Sequence, residues 1–128
     1  ADNVRSDAYY KMERPARLVG FMPHMHNRGK RQCIEAIYPN MTVEQLNCVN
    51  YDFQWQIVYN YADDLAPLLP AGTVMHVTSW HDNSAGNRFN PDPTATVRWG
   101  DQTWEEMMLG YYGTIELPGS TATRTRQR

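Results

Sequence analysis

The chain has 128 residues, of which 41% are hydrophobic, and a formal net charge of -2. That length predicts a single domain able to bury an apolar core without a metal as its main support. The small charge argues against a nucleic-acid or membrane-surface partner. No apolar run approaches the roughly 20 residues that insertion across a membrane requires.

Residues 1–17 read as a lead-in segment, and "ADNVRSDAYYKM" holds no signal-peptide core. The chain reads as soluble as written; one that has lost a signal, or a segment of a longer polypeptide, would look the same. "RLVGFM" follows as an apolar strand and leads into "FMPHMHNRGK" at residues 21–30. On a strand, residues i and i+2 share a face, so His24 and His26 project together while Met25 turns away. Pro23 suits a strand start or an edge, where its missing N–H costs no ladder bond. Two imidazoles side by side can hold one metal ion, although two surface histidines on an edge strand give the same pattern. Arg28 and Gly29 read as a turn.

Between Cys33 and Cys48, "IEAIY" and "TVEQLN" meet at Pro39-Asn40, a turn-forming pair, which predicts a hairpin. Counting outward from the turn pairs Tyr38 with Val43 and sets Cys33 opposite Cys48, where a cross-strand disulfide is geometrically feasible. A disulfide favours an oxidising compartment, periplasmic or secreted; two buried free thiols are the alternative. Asn40-Met41-Thr42 also fits a glycosylation sequon at the hairpin tip.

"YDFQWQIVYNY" alternates Tyr51, Phe53 and Trp55 with Asp52, Gln54 and Gln56 and is the clearest strand by pattern. "TVMHVTSW", "ATVRW" and "MMLGYYGTIEL" supply three more, separated by "LLPAG", "HDNSAGNRFNPDP" and "GDQTWEE", all rich in turn formers. Within "DNS", Asp82, Asn83 and Ser84 can bond nearby backbone. Thr103 with Glu106 could cap a single helical turn. Strands and turns at this spacing predict an all-β antiparallel sandwich or barrel, with the aromatics as its core and rim. His76 and His81 have opposite parity in their strand, so each reads as packed or hydrogen-bonded rather than as a ligand. His76 stays as a possible second-shell partner of a metal-bound imidazole. The tail "STATRTRQR" reads as disordered or a linker.

Taken in order, "FMPHMHNRGK", "YDFQWQIVY", "LPAGT", "DNSAGNRFNPDP" and "VRWGDQTWEEMM" resemble the C-terminal-like domain of the copper type II, ascorbate-dependent monooxygenases. Its animal members are peptidylglycine α-hydroxylating monooxygenase and dopamine β-monooxygenase; the likeness is to the bacterial versions, stand-alone or cytochrome-fused. The resemblance runs from about Leu18 to Leu117. It implies a jelly-roll β-sandwich of about eight strands over residues 18–117, with a polar basic tail at 118–128. It also implies one copper ion per chain, held by His24, His26 and a methionine in a "[DE]-E-M" segment, which corresponds here to Glu106-Met107. Met107 is thus the implied third ligand.

The ligand chemistry suits that metal: a thioether is soft and favours Cu(I), and imidazole binds both oxidation states. Three protein ligands leave a position open, as a catalytic site requires. Met108 points to the opposite face from Met107, Met22 and Met25 lie nearer the histidines in sequence with Met25 turned away, and most of the seven methionines must simply fill core gaps. The implied activity is dioxygen activation for hydroxylation of a C–H bond in a small-molecule substrate that the sequence does not name. Electrons would come from ascorbate, a cytochrome c domain or another subunit, because the second copper of the animal enzymes sits in a separate domain. No adjacent His-His pair matching that domain occurs in this chain. A copper-binding or electron-relay module of a larger periplasmic assembly therefore stands as the alternative to a monooxygenase domain, and a sandwich kept for interaction alone as a third reading.

Overall fold

The computed structural model describes residues 1–117, so the basic tail lies outside the described residues. Eight strands follow one another: β1 (Val4–Lys11), β2 (Ala16–Met25), β3 (Gly29–Ile37), β4 (Val43–Asn50), β5 (Tyr59–Asn60), β6 (Leu68–Leu69), β7 (Val74–His81) and β8 (Met108–Glu116). No helix long and apolar enough to cross a membrane occurs among the described residues. The strands form two antiparallel four-stranded sheets, neither closed into a barrel. The first has the order β1-β7-β3-β4; in the second, β2 pairs with β8 and with the short β5 and β6.

The core lies between the sheets. Ala16, Leu18 and Phe21 of β2 and Leu69 of β6 meet Ile34 and Ala36 of β3 and Met75 and Val77 of β7, and Met108 and Tyr112 of β8 pack against them. Residues alternate as a one-side-buried sheet demands: Met75, Val77, Ser79 and His81 of β7 carry its inner parity, while His76 and Thr78 carry the outer one. Near the His81 end the sandwich interior turns polar. Gln32 is fully buried there and donates through Nε2 to Ser79 Oγ at 2.9 Å.

Residues 1–17, read as a lead-in, contribute β1, which pairs with β7 from Val4↔His81 to Lys11↔Val74. The predicted hairpin forms, with one offset. Ile37 rather than Tyr38 faces Val43, and a bulge at Leu46 restores the register so that Cys33 pairs with Cys48. The two cysteines are joined by a disulfide.

Two predicted strands are absent. Residues 51–58 form a loop because Asp52 Oδ1 accepts from Gln54 N at 2.9 Å and Asp52 O from Trp55 N at 3.0 Å. That local turn outcompetes the alternation, and only Tyr59–Asn60 pairs, with β2. "ATVRW" yields a single bridge, Trp99↔Glu106. The segment before it is held by a series of such turns, in which Asp82, Asn87, Asn90 and Asp92 side chains each accept the N–H two residues on. Thr103 and Glu106 start no helix; a turn closes there instead, with Glu105 N donating to Gln102 O at 2.9 Å.

The disulfide closes a separation of 15 residues. Replacing both cysteines, Cys33→Ser with Cys48→Ser, is expected to lower the unfolding free energy by about 3 kcal/mol, the loop-closure value for that size. Urea unfolding of the oxidised wild type and the double variant measures the difference.

Candidate metal centre

A register shift between Leu18 and Gly20 resets the alternation of β2. Phe21, Pro23 and Met25 then point inward and are buried, whereas Met22 and His24 lie on the outer face. His26 follows the last strand residue with the parity of His24, and the two rings stand 5.5 Å apart, centroid to centroid, at 88°. The sequence expectation that His24 and His26 project together while Met25 turns away is met. Their exposure differs: His24 is half-buried and His26 only 5% exposed.

Each imidazole has one nitrogen committed. His24 Nδ1 lies 2.7 Å from Gln56 Oε1, and Gln56 Nε2 donates to Phe53 O at 2.9 Å, which fixes the amide with its oxygen toward the ring. His26 Nδ1 lies 3.2 Å from the Glu105 carbonyl oxygen. Both partners accept, so both rings carry their hydrogen on Nδ1. The lone pair then sits on Nε2, for which neither ring has a hydrogen-bond partner among the described residues. Metal-bound imidazoles have this feature in common, one ring nitrogen held by an acceptor that sets tautomer and ring orientation.

The facing strand completes the surroundings. Met108 and Tyr112 pack on the core, and a side chain at Gly110 would collide with Val77, so even-numbered β8 residues face inward. Odd ones face outward with the histidines: Leu109 pairs with His24, and the Tyr111 ring lies 6.1 Å from the His24 ring. The ladder ends at Met25↔Met108, so His26 and Met107 are the residues that directly follow and precede this last pair. Met107 is half-buried, and its carbonyl oxygen lies 3.5 Å from His81 Nε2.

Among the described residues, no three His, Cys, Asp or Glu side chains gather in a way that could hold a metal. A centre here therefore needs a donor of another kind beside the imidazoles; Met22 is a thioether on the same outer face of β2, and Met107 is the one that the resemblance implies. Two nitrogens with one soft sulfur fit copper better than the hard, oxygen-seeking cations. No protein-family model matches this chain, and no curated protein matches it.

His76 takes no part in this centre. It lies on the outer face of the other sheet, with Nδ1 2.6 Å from Glu35 Oε1 and Nε2 2.7 Å from Asp7 Oδ1, stacked at 4.3 Å on Tyr9. Both ring nitrogens are taken by carboxylates and two sheets intervene, so His76 supports neither His24 nor His26, contrary to the expectation from sequence. His81 is packed, as expected, with its ring edge-on to Trp99 at 6.0 Å. The partners that hold the histidines are Gln56 and the Glu105 backbone instead. Neither carries a sequence signal, since one lies in the segment read as a strand and the other acts through its carbonyl. Trp55, Trp99 and Trp104 are exposed at 68%, 58% and 58%, so they are rim and not core.

The cluster around His76 fastens β1 and makes a pH-dependent contribution. Asp7 is lowered to about 2, first because the Arg5 guanidinium bonds its carboxylate, then through His76 and Thr78, while burial opposes the shift. A carboxyl held below its ordinary 3.8 favours the folded state above that pH, and the contribution is lost as pH falls toward about 2. Asp7→Asn is expected to be less stable than the wild type at neutral pH, with the gap closing between pH 3.8 and about 2. Urea midpoints across that range measure it; a gap independent of pH would contradict the assignment.

Proposed function

We propose that this chain, with β1 included in its sandwich, is the mononuclear copper-binding domain of a copper-dependent monooxygenase-like protein, on a jelly-roll sandwich, working in a periplasmic or secreted setting. The observation that carries this reading is the pair of imidazoles on one sheet face, both with Nδ1 committed to an acceptor and Nε2 left as a ligand atom. The disulfide and the sandwich-like fold agree with it.

A copper ion there would supply one-electron redox chemistry toward dioxygen for C–H hydroxylation, with electrons from an external donor such as ascorbate, a cytochrome or another subunit. The chain's own residues do the rest. His24 and His26 would hold the ion through Nε2, with Gln56 and the Glu105 carbonyl keeping each ring in place through Nδ1. Met107 offers a neutral sulfur that stabilises the reduced state more than the oxidised one. Beside His24, an apolar groove of about 310 Å³ runs along the same face between Met22, Val58 and Tyr111. Its apolar lining suits the uncharged part of a small organic substrate.

Copper titration with Cu(II) EPR tests the ligand set. The wild type is expected to bind one copper per chain with nitrogen hyperfine structure. His24→Ala should lose more affinity than the roughly 10- to 100-fold typical of removing an outer partner. Met107→Ala should keep Cu(II) but weaken Cu(I). Nitrogen hyperfine unchanged in His24→Ala would falsify the assignment. Reductant-driven oxygen uptake coupled to a hydroxylated product identifies the monooxygenase; reversible reduction without turnover identifies the alternative, a copper-binding or electron-relay module.

A further inference from the structure

Arg28 sits in the β2–β3 turn two residues after His26 and is 2% exposed. It forms no ion pair among the described residues. A buried guanidinium is costly to desolvate; its hydrogen bonds here all go to neutral acceptors, and the Asp92 carboxylate adds a charge interaction without an ion pair. Nε donates to Asn90 Oδ1 at 2.8 Å, Nη1 to the Trp104 carbonyl oxygen and Nη2 to the Asp92 carbonyl oxygen at 3.3 Å. One planar side chain thus ties together two loops that share no regular secondary structure.

The bond to Trp104 belongs to a series. Asn27 N donates to Thr103 O at 3.3 Å, Arg28 to Trp104 O, and His26 Nδ1 to Glu105 O at 3.2 Å. Three consecutive carbonyls of the segment leading into Met107 are therefore held by three consecutive residues of the turn. Of these, the Thr103 contact is long, and the His26 contact is the one that sets the ring. Arg28 supplies the remaining anchor, and a second grip on the same turn comes from Asp82 N donating to Arg28 O at 2.8 Å.

We propose that Arg28 is a positioning residue for this centre, holding backbone 103–105 where the Glu105 carbonyl meets His26 Nδ1 and the chain leads into Met107. The functional consequence rests on the reading of His24, His26 and Met107 as copper ligands; the structural step does not. A lysine cannot replace the arginine, because a single ammonium on a flexible stem does not span three acceptors held in a planar fork. Against the guanidinium lies a cavity of about 520 Å³, lined also by Pro91, Asp92, Arg98 and Trp104. Truncation at 28 would extend this space and admit a free guanidinium ion.

The test has two arms. In metal-free protein, imidazole nitrogen NMR is expected to show His26 locked with its hydrogen on Nδ1 in the wild type. Arg28→Ala and Arg28→Lys should show a tautomer mixture at His26, with His24 unchanged because Gln56 still holds it. Millimolar guanidinium should restore the wild-type His26 pattern in Arg28→Ala. In the copper arm, both variants are expected to lose roughly 10- to 100-fold in affinity, with altered EPR parameters. Folded Arg28 variants with wild-type His26 signals would overturn the proposal. If Arg28→Ala does not fold, Arg28→Lys decides on the same readouts. A wild type that takes no copper removes the metal reading, and the metal-free comparison still decides on Arg28.

Discussion

Because side chains alternate across an antiparallel pair, the register that sets Met25 beside Met108 and His24 beside Leu109 sorts every neighbour between core and outer face. Phe21 and Met25 from one strand and Met108 and Tyr112 from the other are drawn inward by their apolar surface. The histidines and the odd-numbered β8 residues are left outside by the same step. A slip of one residue would bury His24 and expose Met25. The placement of the two histidines is thus fixed by apolar packing on the opposite side of the sheet.

The loops then finish what the strands begin. Gly29 lets the β2–β3 turn close, since a Cβ there would lie 2.7 Å from both Met25 Cβ and Tyr51 Cδ1. Tyr51 in turn donates its hydroxyl to Met25 O at 2.6 Å, pinning the strand end just before His26. The 51–58 loop brings Gln56 to one ring and the turn before Met107 brings a carbonyl to the other. Beneath them buried polar groups sit beside the inward-facing Met25, with Gln32 Nε2 3.5 Å from His24 O and His81 beside the Met107 carbonyl. The histidines therefore stand on a scaffold braced from both faces of the sheet.

How much of this was legible from the residues depended on whether neighbours in sequence or neighbours in space decide the outcome. The His24 and His26 pairing of faces, the inward turn of Met25 and the opposed directions of His76 and His81 follow from parity within one strand, and each appears in the fold. The Cys33 to Cys48 bridge was also readable, although the Tyr38 to Val43 pairing behind it was not: the turn takes one residue more and the bulge at Leu46 takes it back. Alternation misled at Tyr51, Phe53 and Trp55, where the Asp52 carboxylate offered the backbone a competing bond. The partners of the imidazoles were hidden for a different reason. A backbone carbonyl such as that of Glu105 has no letter in the sequence, and an arginine after a histidine pair looks like any solvated turn residue until loops from elsewhere enclose it.

The ends of the first sheet bear on how the molecule behaves among its own kind. Among the described residues β1 forms one border, and its outer side has no strand partner to keep a visiting strand away. Arg5, Asp7 and Lys11 line that border with charge of both signs, and the opposite border, β4, is kinked by its extra residue and carries Glu44. An approaching β-ribbon would have to strip water from those charges and match a bent outline. Sheet extension from one copy to the next, the first step toward a fibril, is thereby opposed at both margins.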